Sequence, residues 1–151
     1  MNFYLAVTDI NWYNNLSKIN PEDVNFWQPG GRTNFRILSP GEPFLFKLKV
    51  HNVIGGAGFF FKQMFLPLSI AWETFGERNG FETYSQFQRA IMNLRTDRDN
   101  LNPNIGCLVL TNPIFFKSKD WIPIPENFSS NIVQGKSYKT NEPIGKACWD
   151  R

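Results

Sequence analysis

Histidine and cysteine are almost missing from this sequence, which carries one histidine, His51, and two cysteines, Cys107 and Cys148, in 151 residues. A single imidazole excludes a histidine-based metal cluster, and the absence of any CxxC spacing removes a zinc ribbon. No GxxxxGK[ST] loop is present to cradle a nucleotide, and no GxSxG elbow supports a serine nucleophile beside His51. The Gly-Ala-Gly at 56–58 lacks the GxGxxG spacing and a following helical pattern, so it is not a dinucleotide fingerprint. Glu73 and Glu77 are spaced i, i+4 and read as a solvated helix face. Catalysis by this chain alone, a metal and a cofactor are therefore not expected.

Charge and long apolar runs are also in short supply. Charged residues make up 19% of the chain, and the net charge is only +3 with a pI near 8.9. That balance suits a polyanionic partner without demanding one. No apolar run is long enough to span a bilayer, and the start lacks a charged segment followed by an apolar one. Two thiols and no secretory signal lead to an expectation of reduced cysteines, a cytoplasmic location and no membrane partner. What the chain has in quantity is aromatic residues, 16% of the total, with 15 Phe and 5 Trp. A single domain of this size buries about 68–70% of its unfolded surface, so most of those rings belong to a core.

The most informative stretch is Asn25 to Arg36, NFWQPGGRTNFR. Pro29-Gly30-Gly31 is a strong turn signal, and glycine supplies positive φ without steric cost. The pattern predicts strand 24–27, turn 28–33 and strand 34–37. Its aromatics, its amides Gln28 and Asn34 and its cations Arg32 and Arg36 are the parts a single-base pocket needs. They are equally the parts of a hairpin whose Trp27 lies in the core and whose arginines are solvated. A second stretch, Ser130 to Tyr138, has a glycine that lets backbone N–H groups approach an anion, with Lys136 to supply charge. The alternative there is a glycine turn with an exposed lysine. Lys47, Lys49 and His51 form a third polar set, either a phosphate track or a plain basic face.

Around these lie short elements. Residues 3–7 read as a strand, and Asp9 caps a helix with Trp12, Leu16 and Ile19 on one face, stopped at Asn20-Pro21. Residues 44–50 alternate, with Phe44, Phe46, Leu48 and Val50 on a core face and Leu45, Lys47 and Lys49 on a partly basic one. Gly55, Gly56 and Gly58 mark a bulge or close approach before a strand at 59–61. Residues 67–79 have helical period, and Thr83 with Gln86 forms a capping box for a second helix. Residues 105–110 read as a buried strand broken at Asn112-Pro113, and Thr140 as the cap of a short last helix. The order argues an α+β domain, a small β-barrel of about five to six strands with flanking helices.

FYLAVTD, VNFWQPGG, PGEPFLFKL, GGAGFF, PLSIAWETFGERNG, IGCLVL, DWIPIP and NIVQGKSY together resemble the N-terminal domain of bacterial HNH restriction endonucleases. That domain is similar to the EVE and SRA members of the PUA-like superfamily, which read modified bases. The resemblance covers nearly the whole chain and implies one PUA-like domain over residues 1–151. It implies duplex DNA carrying a modified base as partner, above all a 5-substituted cytosine, and an HNH nuclease domain C-terminal to these residues. It also implies that the base is rotated out of the duplex. On that analogy Trp27 is the stacking platform, with Phe26 facing the core. Gln28 and Asn34 read the base edge, and Asn131 and Gln134 form the opposite wall. Arg32, Arg36 and Lys136, with Lys47 and Lys49, contact phosphates. Two rival functions stand beside it, an RNA-binding PUA-like module and a small-ligand enzyme using the same cavity.

Overall fold

The computed structural model describes residues 1–30, 34–49, 51–97, 99–128, 132 and 134–145. Strand β1 (Asn2–Thr8) leads into helix α1 (Ile10–Ile19) and strand β2 (Asp23–Gln28). Strands β3 (Pro43–Leu48) and β4 (Val53–Pro67) follow, then α2 (Leu68–Phe75), α3 (Tyr84–Leu94), β5 (Asn104–Phe115), β6 (Ile122–Pro123) and β7 (Gly135–Lys139). All seven strands share one sheet in the order β2-β5-β4-β3-β1-β7, with β6 beside β4. The β1–β3 pair is parallel and the other pairs antiparallel.

The sheet is rolled. In a flat sheet the three steps from β2 to β3 would span about 14 Å. Instead the rings of Phe26 on β2 and Phe44 on β3 have centroids 4.7 Å apart. The enclosed core holds Tyr4, Val24, Phe44, Phe46, Phe60, Leu108 and Leu110, with Trp12, Tyr13 and Leu16 of α1 packed into it. The outer face of β5 is covered by α2 and α3 through Ile105, Cys107, Val109, Phe75, Phe87 and Ile91. The outer face of β1 is covered by Phe128 and Tyr138, which meet Phe3 and Leu5.

Local signals that act within a few residues match the structure. The Asp9 carboxylate accepts from the N–H groups of Asn11 and Trp12 at 2.8 and 3.2 Å. Asn20 ends α1 in the left-handed region at φ 48°. Gln86 N–H donates to Thr83 Oγ1, and the Gln86 side chain accepts from Glu82 N–H.

Signals that depend on distant partners come out differently. Residues 34–37 are not a strand, because β2 pairs with β5 through Trp27–Cys107 and Gln28–Gly106 instead of with the segment after the turn. The glycines at 55, 56 and 58 do mark bulges and close approaches, but inside one long strand, β4, and not before a strand at 59–61. A Cβ at Gly56 would collide with the Ile114 carbonyl, and one at Gly55 would come within 2.8 Å of Leu48 Cδ1. Asn112 does not end β5; it turns left-handed at φ 48° within the strand, its N–H bonded to the Glu22 carbonyl. The helix expected at 67–79 stops at Phe75, and Gly76–Asn79 forms a 3-10 turn. Residues 143–145 are helical, as expected of a short last helix; the Thr140 hydroxyl donates to the Met1 carbonyl, and Cys148 lies outside the described residues.

That 3-10 turn exists to deliver Asn79 to β2. Asn25 and Asn79 are both fully buried. Asn25 Nδ2 donates to Asn79 Oδ1 at 2.8 Å, and Asn79 Nδ2 donates to the carbonyls of Ala71 and Gly76. The Trp12 and Trp27 indole N–H groups donate to the carbonyls of Asn25 and Asn79. Arg78 adds an ion pair to Asp23. Asn79→Ala removes the acceptor and leaves a buried amide donor without a partner, which costs about 1–3 kcal/mol. Urea unfolding should show that loss, whereas Glu73→Ala on the exposed face of α2 should leave the midpoint unchanged.

Candidate nucleic-acid interface

Successive residues of a strand point to opposite faces, so Trp27 and Gln28 cannot line one pocket. Phe26 and Gln28 face inward with Val24. Trp27 faces outward with Cys107, toward α3. Its ring lies 6.0 Å from Phe81 and 5.9 Å from Phe87 by centroid, and its N–H is taken by the Asn79 carbonyl at 3.0 Å. The ring is half-buried against the second core.

On the inner face, Gln28, Gly106 and Phe65 stand side by side on β2, β5 and β4 as register partners. Gly106 has no side chain, so the Gln28 amide lies over it: a Cβ there would sit 3.1 Å from Gln28 Oε1 and 3.3 Å from the Gly30 carbonyl. Phe65 keeps 37% of its surface exposed. The chain after the turn crosses this end of the sheet. Phe35 N–H donates to Gln63 Oε1 at 2.7 Å, and the Phe35 ring packs against Tyr4 and Phe60. Arg95 from the loop after α3 holds the Pro29 carbonyl at 2.7 Å. The arrangement offers an amide lying over Gly106 and, on the next strand, a partly exposed aromatic face.

Asn34 and Arg36 are exposed on the same crossing segment. Gly31, Arg32 and Asn131 lie outside the described residues. Gly30 does not adopt positive φ, and a Cβ on it would meet nothing within 4 Å, so the turn does not require glycine there. Its carbonyl accepts the Gly106 N–H.

The remaining expected residues gather elsewhere. The Gln134 carbonyl accepts Val7 N–H, and Lys49 N–H donates to the Thr8 carbonyl, placing both at the C-terminal ends of β1 and β3. β4 runs antiparallel to β3, so Phe65 and Gln28 sit at the opposite end. Gln134 therefore forms no wall facing Gln28. Lys136 donates to the Asn127 carbonyl at 3.4 Å and lies over the Tyr138 ring. Gly135 is needed for packing, since a Cβ would come within 2.6 Å of the Leu5 carbonyl and the Tyr4 ring.

Lys47 corrects the basic-face reading of β3. It is only 7% exposed, with its ammonium 5.3 Å from the centre of the Phe128 ring. Burial, with a smaller contribution from Lys49, pulls its pKa below the usual lysine value. The second face of β3 is covered by the 124–128 segment, not by water. Cys107 is buried beneath α2 and α3, and desolvation pushes its thiol up to about 11, partly offset by Asn25, which makes it a poor nucleophile. Among the described residues no group of three His, Cys, Asp or Glu could hold a metal ion.

Phe65 had no readable signal in the sequence. Three consecutive phenylalanines, 59–61, are accompanied by register shifts at Ala57/Phe59 and Phe60/Lys62, which reset the inward–outward parity of everything after them.

A rolled mixed sheet with helices on its outer face makes this an α+β domain with a fold of the PUA-like type. It is similar to the crystal structure of ASCH from Zymomonas mobilis, at TM-score 0.60 and 10% identity, covering 91% of this chain and 87% of that one. A point mutant of the same protein gives TM-score 0.61 and 9% identity over 91% and 90% of the two chains. At that identity the likeness establishes the fold. No protein-family model matches the chain, and no curated protein is significantly similar to it.

The placement of Trp27 makes a direct forecast. Trp27→Ala should cost about 3 kcal/mol of stability, as for a large core truncation, and shift the melting temperature well down. Equal melting of variant and parent would mean that the ring is not packed as described.

Proposed function

We propose that this chain is a nucleic-acid-binding module of the EVE/SRA type that reads a modified base rotated out of duplex DNA, specifically a 5-substituted cytosine. In this reading it targets an HNH nuclease domain lying outside these residues and does not itself cut. The observation that carries the proposal is the Gln28–Gly106–Phe65 row on the inner face. A carboxamide offers a donor and an acceptor in one plane, which matches the N4 amino group and N3 acceptor on the pairing edge of cytosine. An exposed phenylalanine ring supplies a stacking face beside the amide that lies over Gly106.

The energetics are compatible. Extruding a base costs a few kcal/mol, and stacking on an aromatic returns about 1–3 kcal/mol. The pairing-edge hydrogen bonds supply the remainder, and they discriminate because a mismatched edge leaves the Gln28 amide unpaired. In this reading Arg36 and Asn34, exposed on the segment that crosses this end, contact the backbone beside the extruded nucleotide.

The test compares Phe65→Ala with the parent on otherwise identical duplexes containing cytosine, 5-methylcytosine, 5-hydroxymethylcytosine or glucosylated 5-hydroxymethylcytosine, and on matched RNA. Removing a stack of about 1–3 kcal/mol should weaken the preferred modified duplex roughly 5- to 150-fold. Because Phe65 is exposed, the melting temperature should change little. A parent that prefers RNA, or a Phe65→Ala variant that binds modified duplex as tightly as the parent, would overturn the proposal.

A further inference from the structure

We infer that Lys49, His51, Lys117, Lys119 and Trp121 form a second nucleic-acid contact, one that grips the sugar-phosphate backbone at the end of the rolled sheet opposite Gln28. The inference rests on the reading of the chain as a duplex-DNA reader, and it assigns residues that play no part in base recognition.

Two turns are brought together there. The β3–β4 turn carries Lys49 and His51, both exposed. The segment after β5 carries Lys117 and Lys119, also exposed, then Trp121 and β6. The two run side by side: Phe116 N–H donates to the Gly55 carbonyl, and β6 pairs through Val53–Pro123 and Ile54–Ile122. A 3-10 turn, Ser118–Asp120, closed by Asp120 N–H to the Lys117 carbonyl, sets the lysines just before the tryptophan. The His51 ring meets the Trp121 ring edge-on at 4.9 Å. The Trp121 ring packs against the core enclosed by the sheet while staying partly exposed, so the aromatic is held from beneath.

The charge of this end is not neutralised internally. Among the described residues the only ion pair is Arg78–Asp23, which involves none of these lysines. Asp120 and Asp9, which follows Thr8 at this end, are the acidic side chains here, against three lysines. Cations interleaved with a fixed aromatic bind a backbone without reading sequence: the ammonium groups take phosphates, and the ring packs on a sugar or a base face. Most of β4 separates this end from Phe65, on the order of 30 Å. That is about nine base pairs at 3.4 Å each, so both contacts can lie on one duplex, a little under one helical turn apart.

The experiment uses the whole chain and the Lys117→Ala/Lys119→Ala double variant on modified and unmodified duplexes over a salt series. For every phosphate no longer neutralised, the log–log salt slope should flatten by about 0.9. Both duplexes should weaken together, leaving the modified-to-unmodified affinity ratio within about twofold of the parent, since phosphate contacts carry no sequence information. Unchanged slope and affinity would overturn the inference, as would a collapsed ratio, which would place the lysines in the base site. Exposed lysines are not expected to affect folding, and melting temperatures check this. If the parent bound no duplex under any condition, the functional reading itself would fall and take this backbone grip with it. If the parent bound and discriminated normally, the double variant would decide the backbone grip alone.

Discussion

The fold depends on one pair of amides. Asn25 and Asn79 are sealed from water and joined by one amide hydrogen bond, and Asn79 is held in turn by the carbonyls of Ala71 and Gly76. Through them β2, an edge strand, is fixed to the 3-10 turn after α2, and two tryptophans hang their N–H groups on the asparagine carbonyls. The clamp explains why α2 ends early: Gly76 at φ 53° redirects the chain so that Asn79 enters the core. Gly80, at φ 91°, then passes so close to Trp12 that a Cβ would collide with the indole. An apolar pair could fill the same volume, but it could not hold the register of an edge strand by direction-specific bonds.

The register so fixed decides what the candidate site can be. With β2 locked against β5, alternation sends Phe26 and Gln28 into the rolled sheet and Trp27 out under the helices. A one-residue slip would reverse all three. The most conspicuous aromatic in the sequence is thus a wall of the second core, while Phe65, with nothing to recommend it on paper, stands exposed across Gly106 from Gln28.

How much is legible follows the range of the physics. Asp9, Asn20, Thr83 and Gln86 act on neighbours within a turn of helix, and their caps and stops are readable directly. The α+β class and the rolled sheet follow from the spacing of short apolar runs, and the inward face of Phe44, Phe46 and Leu48 from strict alternation. A second hairpin strand at 34–37 is a false signal because the partner of β2 is β5, far along the chain. Lys47 reads as part of a basic face because its cover, Phe128, arrives from a segment with no periodic signal of its own. Bulges hide the parity of Phe65. The cations split between two ends of the sheet because strand direction, not sequence proximity, sorts them.

The most direct test of the account is a duplex in which the base beside a 5-hydroxymethylcytosine is 2-aminopurine, whose fluorescence rises when its neighbour leaves the stack. On adding the intact chain, the signal should rise with the modified duplex and remain near baseline with the cytosine duplex. Gly106→Ala, which puts a methyl group against the Gln28 amide, should abolish that difference. An unchanged signal at saturating protein, or a rise of equal size for both duplexes, would contradict base extrusion into the Gln28–Gly106–Phe65 site.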